Sequence, residues 1–480
     1  MPAPVAADPS LLRDLEAALP RGGVLSGGAV TERDPGWNPD NLRAGLLVRP
    51  GSAAEVATVL RVAARHGASV VPQGGRTGLV GGTISAPGQI ILSTERLSRI
   101  RSLDPDTRVA VVEAGVTLGA VQEAAGAHGL EPGIDTAARA SATIGGMIST
   151  NAGGMSAFRH GVMRHRVLGL EAVLPDGRVL SDLSPVIKSA LGPDPRHLMI
   201  GAEGTLGIVT AAALRLEPKE PAQATALLAL PDLETVPRVL EAALRPDAGH
   251  LHAVELMTAH HLAHMQAVHG HDLGPVGRAG AAYLLLSLAG PAPGPLEAAL
   301  EALAGGLYES GRIVDALIAT SGAQAERLWA LREDTGAITR GAAEAAAFDV
   351  SIPLSALAGY VRAIEAGLAA ADPGLGVFVF GHVADGNLHI VIDRAEPMGP
   401  ALRARVDAAV YGPLAACGGV FSAEHGIGSK RTGDLEAMAD PVRLALMGEL
   451  KTLLDPAGLM NPGKVLSAPS LGLRAASAGS

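Results

Sequence analysis

The stretch "PQGGRTGLVGG", residues 72 to 82, sets five glycines among eleven residues directly behind the strand-like run "ASVV". Glycine tolerates positive φ and close backbone approach, so successive free N–H groups can line a concave nest for a phosphate or pyrophosphate. Two further clusters follow, "TIGGMISTNAGG" (143 to 154) and "GAEGTLG" (201 to 207). Each alone reads as a tight turn. Three in one half of the chain point instead to a dinucleotide-sized ligand. No G-x-G-x-x-G follows a strand and opens a helix, which argues against a Rossmann site. The near P-loop "GLMNPGKV" (458 to 465) has Val465 where Mg²⁺ needs a hydroxyl, and Pro462 lacks an N–H for phosphate, so ATP is excluded there.

At 480 residues the chain is too long for one core, and two or three domains are expected. A net charge of -10 and only 2% aromatic residues remove the basic surface and the stacking platforms that nucleic-acid binding requires. Cys417 is the single cysteine, so neither an internal disulfide framework nor a cysteine-rich zinc site is available, which fits a reducing compartment. The N-terminus lacks a basic n-region and an apolar h-region, and reads as a helix with Asp8 as N-cap, Pro9 at its first position and Pro20 as its stop. The run "AAYLLLSLAG" (281 to 290) is half a membrane span. These readings predict a soluble, cytoplasmic protein without a transmembrane segment.

Outward from the first glycine loop, "GSAAEVATVLRVAARHG" carries the capping box Ser52 and Glu55, apolar positions 56, 59, 60 and 63, and Gly67 as a stop, which predicts an amphipathic helix. Strands are expected at "QIILS", "VAVVEAG" and "VLGLEAVLPDG". "EPKEPAQATALLALPD" reads as a connector, beyond which helical and strand-like patterns alternate to about 375 in an α+β layout. The expected organisation is an N-terminal helical segment at 1–40, domains at 41–219 and 220–425, and a C-terminal segment at 426–480 that frays from about 467.

"GVFVFGH" and "NLHIVI" read as two strands joined by "VADG", with His382 and His389 near one another at the mouth of the hairpin. Glu424 and His425 follow in "FSAEHGIG". Two imidazoles and a carboxylate suit Zn²⁺ or a similar divalent ion, although loop histidines are more often simply hydrogen-bonded. Seven of the 15 histidines fall between His250 and His271, with His260 and His264 at i, i+4 spacing; with no carboxylate at ligand spacing, this reads as a solvated helix face. Arg332, in a helical pattern with Leu328 and Leu331, is either a surface ion-pair partner or a bidentate clamp for a carboxylate.

Taken together, "VPQGGRTGLVGG", "SATIGGMISTNAGG", "IGAEGTLGIVT", "GHVADGNLH", "EHGIG" and "LDPAGLMNPGKV" resemble, in that order, the flavin-linked D-2-hydroxy acid dehydrogenases of the vanillyl-alcohol-oxidase type, from about residue 40 to about 466. This family includes D-lactate dehydrogenases, D-2-hydroxyglutarate dehydrogenases and the glycolate oxidase FAD subunit. The resemblance implies an α+β fold: a two-part FAD-binding domain of the PCMH/vanillyl-alcohol-oxidase type, a substrate (cap) domain carrying the metal site, and a C-terminal segment returning to the flavin. It implies that FAD is held by Pro72, Gly74, Gly75, Arg76, Thr77, Gly78, Thr143, Gly146, Thr150, Asn151, Gly154, Gly204, Ile208 and Asn461. Arg76, Thr77 and Gly78 stand where some relatives have a flavin-linked histidine, so the FAD is expected to be non-covalent. The resemblance further makes His382, His389 and Glu424 ligands of a divalent metal, zinc by expectation, with His425 the base and Arg332 the carboxylate clamp. The implied reaction is metal-assisted hydride transfer from C2 of a D-2-hydroxy acid to flavin N5.

Relatives specific for hydroxyglutarate carry a threonine, a lysine and an asparagine where this chain has Gly336, Ala347 and Val391, so a monocarboxylate such as D-lactate is expected. D-2-hydroxyglutarate and glycolate are the alternatives, as is a non-catalytic flavin subunit of a complex. Flavin-dependent ether-lipid synthesis is a further enzyme reading. The electron acceptor stays open among oxygen, electron-transfer flavoprotein, quinone and cytochrome, and a homodimer is compatible with the readings above.

Overall fold

The computed structural model describes residues 8–340 and 344–467, so the last thirteen residues of the tail expected to fray lie outside the described residues. The chain forms two compact units, one comprising residues up to Gly153, His160–Lys219 and the chain from Glu424 onward, the other Gly154–Arg159 and Glu220–Ala423.

The first unit opens with the helix Pro9–Ala18, where the Asp8 carboxylate accepts from Ser10 N at 2.9 Å and Leu11 and Leu15 face the core. Its first sheet contains β1 (Val24–Ser26), β2 (Leu46–Val48), β3 (Val70–Gln73) and β4 (Ile90–Ser93) in the order β1-β2-β4-β3, parallel except for β1. The crossover from β2 to β3 is the expected helix, Ala53–His66. Ser52 Oγ accepts from Glu55 N at 3.2 Å, Glu55 accepts from Gly51 N at 2.8 Å, and Gly67 closes the helix at φ +62°. Val56, Val59, Leu60 and Ala63 are buried, as the periodicity predicts; burial of an aliphatic side chain of this kind contributes roughly 1.5–3 kcal/mol.

Beyond it come β5 (Ile100–Asp104), β6 (Val109–Glu113), β7 (Leu130–Glu131), β8 (Val167–Val173), β9 (Val179–Asp182), β10 (Ile208–Arg215) and β11 (Glu217–Pro218). An antiparallel sheet runs β5-β6-β10-β8-β9, and β7 pairs with β11. The C-terminal segment returns to β3: Val70 N donates to Leu459 O and Asn461 N to Val70 O, each at 2.8 Å. Lys451 anchors that return, donating to Thr205 O and Met460 O at 2.8 Å and pairing with Asp455 at 2.6 Å.

The second unit is one antiparallel seven-stranded sheet of β12 (Ala222–Leu230), β13 (His250–Thr258), β14 (Ala282–Gly290), β15 (Asp315–Ile318), β16 (Glu344–Ser351), β17 (Gly376–Gly381) and β18 (Asn387–Arg394), ordered β15-β12-β14-β13-β17-β18-β16. Most of the stretch read as a connector is thus strand β12. Alanine and leucine, with Thr225 the single β-branched residue, give it no alternation, because Ala224–Leu230 are buried on both faces. The helices Ala259–His269 and Gly322–Glu333 share a core with one sheet face through Leu262, Met265, Leu328, Leu331, Phe378 and Phe380. Among the described residues one helical stretch, Leu354–Ala371, is long and apolar enough to cross a membrane by length and composition, which inspection of apolar runs does not single out. Its Leu357, Tyr360, Val361, Ile364 and Leu368 are buried, and Tyr360 Oη donates to Val410 O at 2.8 Å.

The first two glycine loops interlock. A Cβ on Gly75 would collide with the carbonyl oxygen of Ser141, and one on Gly74 with Thr143 Oγ1. Backbone cannot step aside as a flexible side chain can, so Gly75→Ala is expected to destabilise the first unit by about 1–3 kcal/mol. In thermal unfolding this should read as a lowered melting temperature relative to Gly78→Ala, whose Cβ would meet nothing within 4 Å. Equal melting temperatures would refute the interlock.

Candidate active site

In the first unit the three glycine clusters converge on one cavity of about 320 Å³. Its wall includes Pro72, Gly74, Gly75, Arg76, Thr77, Gly78, Thr143, Gly146, Thr150, Gly204 and Ile208 from the expected set, together with Glu424 and His425. Glycine at 74, 75 and 146 leaves the cradle without side chains, so a pyrophosphate can approach backbone N–H groups directly. The remaining expected cofactor residues sit elsewhere. Asn151 ends the helix Ile144–Thr150 at φ +52° and accepts from Arg164 N at 3.0 Å. Asn461 supports the wall from behind, its Nδ2 donating to Gly82 O at 3.0 Å and Glu203 O at 2.8 Å. Gly154 belongs to the second unit.

Sequence reasoning passes over Glu203, whose signal was an acid inside the glycine run "GAEGTLG". Burial pushes its carboxyl pKa upward, while the amides of Ile427 and Gly428, donating at 2.7 and 2.9 Å, favour the ionised form. Those two amides belong to the loop that begins with Glu424 and His425. Val80 O holds the same loop by accepting from Ser429 N and Lys430 N, both at 3.1 Å. Room for Glu424 comes from Gly153, where a Cβ would lie 2.8 Å from its Oε1.

In the second unit the predicted hairpin forms, β17 and β18 being joined through Val383–Asp385 and Gly386 at φ +79°. Register aligns Met257, Phe380, His389 and Asp349 as successive cross-strand partners on β13, β17, β18 and β16. Side chains alternate along a strand, so Glu255 shares the face of Met257. The His382 and His389 rings stand 5.3 Å apart, nearly perpendicular. Each faces a buried carboxylate through Nδ1: His382 meets Glu255 Oε1 at 2.6 Å, and His389 meets Asp349 Oδ1 at 3.5 Å. A carboxylate at Nδ1 is the arrangement common to metal-binding histidines. Asp349 also accepts from Asn387 Nδ2 at 2.8 Å and from Ala423 N at 3.1 Å, and the next residue in the chain is Glu424.

Arg332 is buried, not a surface ion-pair partner. Its guanidinium lies 4.8 Å over the Phe380 ring and pairs with Glu255 Oε2 at 2.7 Å. Burial alone would raise the Glu255 pKa, but the charges of Arg332 and His382 outweigh it and bring the carboxyl down to about 2. Glu255 and Asp349 were both missed in the sequence, where each is an acid set in a largely apolar run, "HAVELMT" and "AAAFDVS".

The histidine-rich stretch is not a solvated face. His250 and His252 lie on β13, His264 is half-buried, and only His260 of the helical pair is exposed. His261 is fully buried, its ring 4.6 Å from Phe380; His260 and His264 lie 4.7 and 5.0 Å from Phe378. A chain with five phenylalanines is using imidazoles as rings against the two it places here.

Comparison with known proteins agrees with this architecture. The chain matches the family model described as FAD binding domain over residues 44–182, and that described as FAD linked oxidases, C-terminal domain, over 219–465. The solved structure of p-cresol methylhydroxylase with substrate bound superposes with a TM-score of 0.71 at 17% identity, covering 96% of this chain and 97% of that one. The fold is therefore the two-part FAD-binding fold of the PCMH/vanillyl-alcohol-oxidase type, an α+β architecture. A D-2-hydroxyglutarate dehydrogenase of Xanthomonas citri pv. viticola is 39% identical over 435 residues, 89% of this chain and 90% of the relative. A D-lactate dehydrogenase of Archaeoglobus fulgidus is 33% identical over 430 residues, 88% and 91% of the two chains. The chain belongs to the family of FAD-linked D-2-hydroxy acid dehydrogenases, and is an enzyme of that class.

His261 supplies a pH test of the packing around Arg332. Burial and the Arg332 charge depress its pKa to about 3, against the pull of the Leu331 carbonyl. Unfolding restores a value near 6.5, so the unfolded chain binds more protons between those limits, and stability falls as pH drops through that window. At ~1.36 kcal/mol per pH unit, the ring costs about 2 kcal/mol of stability on going from pH 7 to pH 5. His261→Leu should shrink the difference in unfolding free energy between those two pH values by about that amount in denaturant titrations. A difference equal to that of the wild type would show that the ring already accepts a proton in the folded state.

Proposed function

We propose that the enzyme oxidises a D-2-hydroxy monocarboxylate such as D-lactate to the 2-oxo acid. Arg332 grips the substrate carboxylate, His425 takes the hydroxyl proton, and His382, His389 and Glu424 hold a divalent cation, zinc by expectation, since this N/O donor set also accepts manganese, cobalt or iron. The observation that carries the reading is the line from Arg332 through Glu255 to His382, with His389 beside it and carboxylate-backed in turn. Two carboxylate-backed imidazoles are chemically suited to a divalent cation, and in this reading Glu424, the residue after Ala423, supplies the third donor. FAD, bound without a covalent link, supplies the hydride acceptor, and the metal ion supplies Lewis acidity toward the hydroxyl oxygen. An arginine fork fits a carboxylate bidentately and so orients C2, while a neutral imidazole with a reference pKa near 6.5 accepts a proton at neutral pH. In this reading residues 41–219 and 426–466 bind FAD, and 220–425 form the substrate domain.

The choice of a monocarboxylate rests on Ala347 and Val391. They are direct cross-strand partners, one pleat along from Asp349 and His389 on the same sheet face, and neither offers a hydrogen bond to a second carboxylate. Gly336 likewise has no side chain to offer. D-2-hydroxyglutarate is the second reading, favoured by the names of relatives at 39% and 35% identity. Electron-transfer flavoprotein, a quinone or a cytochrome is the proposed class of acceptor, and a cytoplasmic homodimer the proposed setting.

Anaerobic addition of D-lactate to the metal-loaded enzyme is expected to bleach the visible flavin absorbance. Bleaching by D-2-hydroxyglutarate alone would overturn the monocarboxylate reading. His425→Ala should retain bound flavin while turnover falls by ~10²–10⁴; undiminished turnover would remove His425 from its role as base.

A further inference from the structure

Glu255 is 1% exposed, in a strand whose neighbours from Ala253 to Met257 are otherwise all buried and apolar. A carboxylate at such a position is retained only against strong partners. Here its two oxygens are divided between two residues of different function, Oε1 meeting His382 Nδ1 at 2.6 Å and Oε2 meeting Arg332 Nη2 at 2.7 Å. His382 continues β17 at the position opposite Glu255, since Leu256 pairs with Gly381 and Met257 with Phe380. The helix Gly322–Glu333 delivers Arg332 to the same carboxylate.

We propose that Glu255 is a positioning residue that couples the carboxylate clamp to the metal site, one oxygen setting the orientation and tautomer of His382 and the other setting the guanidinium plane of Arg332. The proposal rests on the roles given above to Arg332 and His382. It makes the placement of the substrate carboxylate and the placement of the metal two outputs of one side chain. A glutamine in its place has a single acceptor oxygen, so it can serve one of the two partners and must present an N–H₂ donor to the other.

The test uses flavin-loaded protein and Zn²⁺ alone as the probe. Wild type and Glu255→Gln are titrated with zinc against a chromophoric chelator, and KM and kcat for the best D-2-hydroxy acid are measured at saturating zinc. Glu255→Gln is expected to weaken zinc binding 10–100-fold, the usual cost of losing a partner that orients a metal-binding histidine, and to raise KM when zinc is saturating. Glu255→Asp keeps both acceptor oxygens and is expected to recover part of each loss. If glutamine disturbs folding, the comparison of Glu255→Asp with wild type carries the test. In a double-mutant cycle on the zinc dissociation constant, the effect of Arg332→Gln should largely vanish in the Glu255→Gln background. Additive effects, or wild-type zinc affinity in Glu255→Gln, would overturn the coupling while leaving the ligand assignment intact. Failure of the wild type itself to bind zinc would instead overturn the ligand assignment, and the coupling with it.

Discussion

A carboxylate taken out of water must find cations or N–H donors, and the second unit of this protein is arranged around that requirement. Glu255 and Asp349 are almost wholly buried on the seven-stranded sheet, and the atoms that satisfy them belong to His382, Arg332, His389, Asn387 and Ala423. An isolated ion in such a place costs several kcal/mol, so the partners cannot drift without a large penalty. That penalty is what fixes the histidine orientations. The polar groups are thereby preorganised, the property that electrostatic catalysis exploits in general.

The same constraint operates in the first unit. Glu203 sits in a glycine-rich turn at φ +50°, and its two oxygens accept from successive amides, those of Ile427 and Gly428. A buried acid therefore holds the loop that starts with Glu424 and His425, while Val80 O and Val465 N hold the loop's other groups. The wall at Gly74, Gly75 and Gly146 and the tied loop use backbone differently. One brings a main chain free of side chains to the cavity; the other gives two of its amides to Glu203.

Much of this was legible in the sequence because local rules agree with the tertiary structure. The Ser52 and Glu55 capping box, the buried stripe of the helix Ala53–His66 and the hairpin around "VADG" all follow from short-range patterns, while the return of "NPGK" to β3 follows from the family resemblance. Glycine clusters carry their message in spacing, and the three do meet at one cavity. What escaped was set by partners far away in sequence. Strand β12 has no alternation because both its faces are covered. Glu255 and Asp349 lie 127 and 40 residues from the histidines they face, so no local pattern marks them except polarity in an apolar run.

The histidine-rich stretch shows most clearly why residue type misleads when composition is unusual. Imidazole is normally weighed as a titratable or metal-binding group. In a chain so poor in aromatic residues its ring is also packing material, and the helix Ala259–His269 lays three of its imidazoles against Phe378 and Phe380. His261 can do this only while neutral, and Arg332 beside it adds to burial in keeping it so. Phe380 thus has Arg332, His261 and His389 around one ring, of which the first is cationic and the second is held uncharged. The Arg332 charge is balanced by Glu255, and Leu328 and Leu331 of the same helix pack in the apolar core with Phe380.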